Sequence, residues 1–254
     1  MSDWQALADE AARWAGRAAP AELWWRDDDA ADAGPALERL LGLHRASGVP
    51  LALAVVPAHA TAALAGRLAD ERRVDVLQHG YAHANHAPPT DKKMELGLHR
   101  PAMFVLGELG TGRMALERLF GRRPLPVLVP PWNRIAPPLV PTLPEMGFRG
   151  LSTFGPRTRL HPVKGLRAVN THVDLLDWKA RRFVGAETAL TALVDALARA
   201  RESGEPVGIL SHHLAMDAEA WDFLGLLWDK TASMPGLRTR SAGELFPATG
   251  EGAG

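Results

Sequence analysis

The chain has no cysteine among its 254 residues, so no disulfide can staple it and no thiolate can bind a metal. Any metal must be held by histidine and carboxylate. Neither charge is in excess, since Lys plus Arg and Asp plus Glu number 29 each. With no net positive field, nucleic acid and anionic membrane are not expected as partners. No apolar run is long enough to span a bilayer. Residues 1–20 contain acids and tryptophans and lack the basic segment followed by an apolar stretch that marks a secretory signal. These absences point to a cytoplasmic location, and nothing in the sequence argues for an oligomer.

The residues that are present give a large core and a repeating pattern. Apolar residues make up 46% of the chain, and its length suits one α/β domain of barrel type. Trp4, Leu7, Ala8, Ala11, Ala12, Trp14 and Ala15 recur at helical spacing over residues 4–18. Apolar runs at 23–26, 51–57 and 74–78 read as strands, separated by helical patterns at 35–47 and 60–69. That alternation predicts parallel strands with crossover helices. Further along, the pattern predicts helices within 92–120 and over 138–146, 186–202 and 217–230. It predicts strands at 125–129, 148–153, 167–171, 206–211 and 237–239. The helical stretch 92–120 is expected to break near Pro101 and around Gly110 and Gly112. Residues 1–20 are expected to pack as a helix on a barrel of residues 21–246, with 247–254 as a flexible tail.

Chemistry-bearing residues gather where predicted strands stop, which is where parallel α/β folds place active sites. The first strand runs into Asp27, Asp28 and Asp29. Three adjacent carboxylates repel unless a cation or arginine neutralises them, although a solvated acidic turn capping the next helix is the plainer alternative. The third strand ends in His79, Gly80, Tyr81, Ala82, His83, Ala84, Asn85 and His86. Histidines four and three apart can converge on one ion. Pro130, Pro131, Trp132, Asn133 and Arg134 form a rigid loop after the fourth strand, and His212 and His213 follow a later one.

In this order the pieces resemble the polysaccharide deacetylase family, also called the NodB-homology domain or family 4 carbohydrate esterases. The matching segments are Asp27–Asp28, His79 to His83, Pro130-Pro131-Trp132, Asp174 to Trp178 and Leu210-Ser211-His212, covering roughly residues 22–240. The resemblance implies a single-domain, distorted (β/α)7-type barrel. It also implies one divalent metal, zinc in the first place with cobalt or nickel as alternatives, bound by one Asp and two His.

Carried over, His79 and His83 are the metal histidines, Asp28 the metal carboxylate and Asp27 the general base. A shifted register would use Asp28 and Asp29 as the pair. His212 is the general acid oriented by Asp174. Trp132 and Trp178 wall the substrate groove, joined by Tyr81, Asn133 and Arg134. Asp29, His86 and His213 stand beside these as additional or alternative ligands.

Two positions depart from the family pattern. The glycine after the paired acids is missing, and the arginine that braces the base is replaced by Val129, leaving Arg26 or Arg134 to supply its charge. The implied activity is metal-dependent hydrolysis of a C–N (amide) bond, above all deacetylation of an N-acetylated sugar or related small soluble metabolite. A cyclic amide, ureide or ester substrate on the same barrel is the alternative, followed by a barrel that binds carbohydrate or metal without turnover.

Overall fold

The computed structural model describes residues 3–247, so the tail expected at 247–254 lies outside the described residues apart from Pro247. Helix α1 (Asp3–Ala15) opens the chain. Alternation then runs through β1 (Ala21–Ala30), α2 (Pro35–Ser47), β2 (Leu51–Val55), α3 (Ala62–Leu68), β3 (Val74–His79), α4 (Ala102–Phe120) and β4 (Pro124–Val129). Short strands follow: β5 (Gly150–Leu151), β6 (Arg167–Ala168), β7 (Val173–Asp174) and the pair β8 (Leu176–Asp177) and β9 (Arg182–Phe183). The chain continues with α5 (Ala186–Ser203), β10 (Val207–Ser211), α6 (Ala218–Ala232), β11 (Leu237–Thr239) and α7 (Ala242–Leu245).

Eight strands lie in the order β6-β5-β4-β3-β2-β1-β10-β7, every neighbouring pair parallel, and β11 pairs with the start of β1. The sheet curls into a half-barrel with helices outside, the distorted (β/α) barrel expected. The segment from β6 to β7 links its two edges: Thr171 N–H donates to Thr153 O (3.0 Å) just past β5, His172 N–H to Gly208 O (2.7 Å) of β10, and the Trp24 indole to Asn170 O (3.1 Å) between them.

The strands read as period-2 elements with two apolar faces. On β1, Leu23 and Trp25 join the outer core with Leu51, Leu53 and Val55 of β2 and with residues of α2, α5 and α6. Trp24 points the other way, into an inner core of Ala52, Ala54, Leu77, Val127 and Val129. Small alanines on β2 leave room for that indole, and Phe246, just past α7, meets it edge-on at 6.3 Å. Outside, α1 lies against α5, and the Trp14 indole N–H donates to Leu197 O (3.3 Å).

Several predicted elements are shorter than expected. The helix predicted within 92–120 begins only at Ala102, after Pro101, but it is not broken at Gly110 or Gly112. A Cβ at Gly112 would sit 2.7 Å from the Gln78 side-chain nitrogen and 3.0 Å from Pro57, so this glycine permits close packing of helix on sheet. In place of a helix over 138–146 there is a 3-10 turn at Pro137–Thr142, because Pro141 and Pro144 withhold amide donors. The strands predicted at 148–153 and 167–171 contract to the two-residue β5 and β6.

Candidate metal and catalytic centre

The acidic triplet lies within β1 rather than after it, and the pleat sorts its members. Trp24, Arg26 and Asp28 share the inner face; Leu23, Trp25 and Asp27 share the outer one. Asp27 is therefore withdrawn from the cavity and serves the β10 end. Its Oδ2 accepts from Ser211 Oγ (2.6 Å) and the His213 backbone N–H (3.0 Å), and its Oδ1 lies 2.5 Å from His213 Nδ1. The Trp25 indole donates to Ser211 Oγ (2.8 Å) and completes this closed network. Burial, the largest influence, disfavours the His213 imidazolium, but the Asp27 charge and hydrogen bond outweigh it and raise the pKa.

Alternation alone would turn Asp29 outward with Asp27. A register shift between β1 and β2 from Asp27 to Ala30, with Asp29 at φ +72°, reverses this and re-aims its carboxylate. Asp29 Oδ1 lies 3.1 Å from His79 Nε2 and 3.2 Å from His83 Nε2. One ligand atom from each of Asp29, His79 and His83 falls within 4.8 Å of the others. His79 ends β3, and its Nδ1 lies 3.0 Å from Val129 O. As the donor of that bond, Nδ1–H leaves the Nε2 lone pair free for a metal. Two imidazole nitrogens and one carboxylate oxygen fit zinc, cobalt or nickel.

The electrostatics of the three groups are linked. Burial works against the Asp29 carboxylate, but His79, His212 and His83 together hold its pKa well below the usual carboxylate range. Burial also opposes charging of His79, yet Asp28 and Asp29 carry its pKa above the ordinary value. At His83 burial prevails over the pull of Asp29 and Glu95, and the pKa is lowered.

Asp28 holds a different cation. It is 1% exposed and receives both arms of Arg26, which is fully buried: Nε–H donates to Oδ1 (2.9 Å) and Nη2–H to Oδ2 (3.0 Å). The same guanidinium donates to Ser152 Oγ (2.7 Å) and Asn133 Oδ1 (2.6 Å). Of the two arginines offered in place of the family's bracing residue, Arg26 is therefore the one in contact. Arg134 turns its guanidinium to Lys93 O (2.9 Å).

These groups share a cavity of about 320 Å³. Asp28, Asp29, His79, His83, Asp174 and His212 supply its polar lining, and Trp132, Asn133, Arg134, Phe154 and Trp178 its walls. The Trp132 ring lies 4.4 Å from that of His83, and Trp178 meets His212 edge-on at 4.5 Å. The Trp178 indole donates to Asp174 Oδ2 (2.9 Å), while burial, the main influence, raises the Asp174 pKa. His212 is 6% exposed, and its Nδ1 has no hydrogen-bond partner among the described residues. Four non-glycine residues here, Asp29, His83, Trp132 and Asn133, have φ between +53° and +72°. Such strain gathers at functional sites.

The expected residues thus separate. Asp28, Asp29, His79, His83, Asp174, His212, Trp132, Asn133, Arg134 and Trp178 meet in one cavity. Asp27, His213, Tyr81 and His86 do not line it. The assignment of Asp28 as metal carboxylate and Asp27 as base is corrected by this geometry: Asp28 is taken by Arg26, and Asp27 faces the outer core. His86 and His213 are outside the convergent ligand set, His213 because Asp27 holds its ring. Phe154 and Glu95 were not anticipated. Each stands in a segment whose local pattern gives no hint of the cavity or loop it reaches.

No protein-family model matches the chain, and no curated protein matches it. Solved structures do. A Mycobacterium smegmatis protein provisionally described as a polysaccharide deacetylase superposes with a TM-score of 0.64 at 17% identity, covering 90% of this chain and 92% of its own. A family 4 carbohydrate esterase from Streptomyces lividans, solved with acetate, gives 0.55 at 17% identity, over 87% and 93%. A family 4 acetyl xylan esterase from Clostridium thermocellum, solved with cobalt, gives 0.53 at 16% identity, over 89% and 90%. The chain has the fold of these proteins. No helix among the described residues is long and apolar enough to cross a membrane.

Proposed function

We propose that the chain is a metal-dependent deacetylase that hydrolyses the amide of an N-acetylated sugar or a related small metabolite. One observation carries the reading: Asp29, His79 and His83 converge in a cavity that Asp28 and His212 also face. The neighbours of like fold include enzymes named for deacetylation and acetyl-ester cleavage, one of them solved with cobalt.

A divalent ion held by Asp29, His79 and His83 would supply Lewis-acid polarisation of the acyl carbonyl and acidify a water. The protein's own groups do the rest. Asp28, oriented by the two arms of Arg26, accepts the proton of the attacking water. His212 donates a proton to the departing amine nitrogen. Asp174, expected to orient it, instead accepts from the Leu176 amide and the Trp178 indole, so it acts on His212 through charge and through the Trp178 ring that meets it. Water and amide are thereby converted to acetate and amine. The cavity lies at the small end of ligand pockets, and its aromatic walls suit one sugar ring.

Purified wild type should carry about one equivalent of zinc, cobalt or nickel. Asp29→Ala should lose the metal, whereas Asp28→Asn should keep it while kcat for acetate release falls roughly 10²- to 10⁴-fold. A wild type that binds no divalent ion, or an Asp29→Ala protein with full metal content, would refute the reading. Acetylated amino sugars assayed beside acetyl esters and cyclic amides identify the bond cleaved.

A further inference from the structure

Glu95 is a fully buried carboxylate that makes no ion pair among the described residues. An isolated buried charge is costly unless several donors surround it. Here the donors come from one stretch of backbone: Glu95 accepts from the amides of Tyr81 (Oε2, 3.0 Å), Ala82 (Oε1, 2.8 Å) and Ala84 (Oε1, 3.3 Å). These amides flank His83 within the loop that begins at His79. Gly80 permits the approach, because at its φ of +54° a Cβ would lie 2.0 Å from Glu95 Oε2. The next residue is tied to the frame, as Ala136 N–H donates to Leu96 O (2.8 Å). The loop is thus gathered round a fixed carboxylate while His83 sits at φ +54°, a conformation that persists only when its surroundings over-determine it.

Charge points the same way. Arg26 neutralises Asp28, and the two imidazoles ligate as neutral groups, so within the ligand set Asp29 by itself leaves a divalent ion half balanced, and the rest must come from carboxylates behind the ligands. Glu95 brings the second negative charge. We propose that Glu95 is a positioning residue for the metal: it clasps the 80–84 loop, so that His83 is presented to the ion, and supplies the buried charge that completes its neutralisation. This rests on the metal reading above and extends it to a residue outside the ligand set.

Zinc and cobalt titrations of the metal-stripped full chain by calorimetry test it, using wild type, Glu95→Gln and Glu95→Asp. Supporting groups of this kind are typically worth about 10- to 100-fold in metal affinity. Glu95→Gln, which loses the charge and part of the acceptor capacity, should bind in that range more weakly. Glu95→Asp, which keeps the charge but falls short of the amides, should lie between. Cobalt absorption bands should shift in both, reporting altered placement of His83. A folded Glu95→Gln chain binding within twofold of wild type, with an unchanged cobalt spectrum, overturns the proposal. Amide exchange on the unaltered, metal-stripped chain applies even where the variants do not fold. The Tyr81, Ala82 and Ala84 amides should be protected, and exchange at unprotected loop rates overturns the clasp. A wild type that binds no metal would instead count against the metal reading.

Discussion

Replacing Arg26 by Met should damage the fold more than any other single change at the site. The substitution keeps an unbranched side chain of similar reach but removes five hydrogen bonds, two to Asp28 and one each to Ser152, Asn133 and the Thr153 carbonyl. Asp28 would be left buried with no counter-ion, next to Asp29 in sequence. Breaking a buried pair by removing one partner costs about 3–5 kcal/mol, a large share of the roughly 5–15 kcal/mol that holds a typical domain together. The double variant Arg26→Met/Asp28→Asn removes the stranded charge as well and should recover most of that loss. The pair should therefore show a coupling of about 2–3 kcal/mol in a double-mutant cycle. Arg26→Lys keeps the charge but not the two-armed geometry and should fall between. Urea unfolding in EDTA, followed by fluorescence of the eight tryptophans, measures wild type, Arg26→Met, Asp28→Asn, the double variant and Arg26→Lys without interference from metal. A loss below about 1 kcal/mol for Arg26→Met, or a coupling near zero, would refute the claim that this pair holds the inner face of β1 together.

Two further outcomes are expected. Because the folded-state pKa of His213 is raised above 6.5, its pairing with Asp27 contributes stability that is fully present below about pH 6.5 and is lost as pH rises through the raised value. The stability gap between wild type and His213→Gln, measured by urea unfolding across that range, should narrow with rising pH; a gap that widens contradicts the assignment. Gly236→Ala would place a Cβ 1.9 Å from Ala11 O, so α1 must shift from the barrel. Thermal unfolding should show a loss of about 1–3 kcal/mol, and an unchanged midpoint would show that the contact is not tight.

The fold was legible because its parallel strands, buried on both faces, appear as short apolar runs separated by helical patterns, and because chemistry-bearing residues cluster where those runs end. The histidine pair was legible for the same reason. The role of each acid was only half legible. Alternation along β1, with Trp24 and Trp25 on opposite faces, already sets Asp27 apart from Asp28 and places Arg26 beside Asp28. The bulge that turns Asp29 inward leaves no comparable mark, since Asp29-Ala30 lacks the glycine that usually announces a left-handed backbone. Glu95 was hidden because it acts on backbone amides, which carry no residue identity. The two-residue strands β5 and β6 are too short to generate a period, and tertiary hydrogen bonds alone define them.

The left-handed backbone at Asp29, His83, Trp132 and Asn133 has a practical consequence. Each conformation costs about 1–3 kcal/mol that glycine would largely avoid. A library selected only for heat resistance, with no assay of any reaction, should therefore enrich glycine at Asp29, His83 and Trp132, but not at Asn133, whose Oδ1 holds the buried Arg26. The resulting hot-spot map would outline the working surface of the protein before a substrate is known, and its most heat-tolerant members would be its poorest performers.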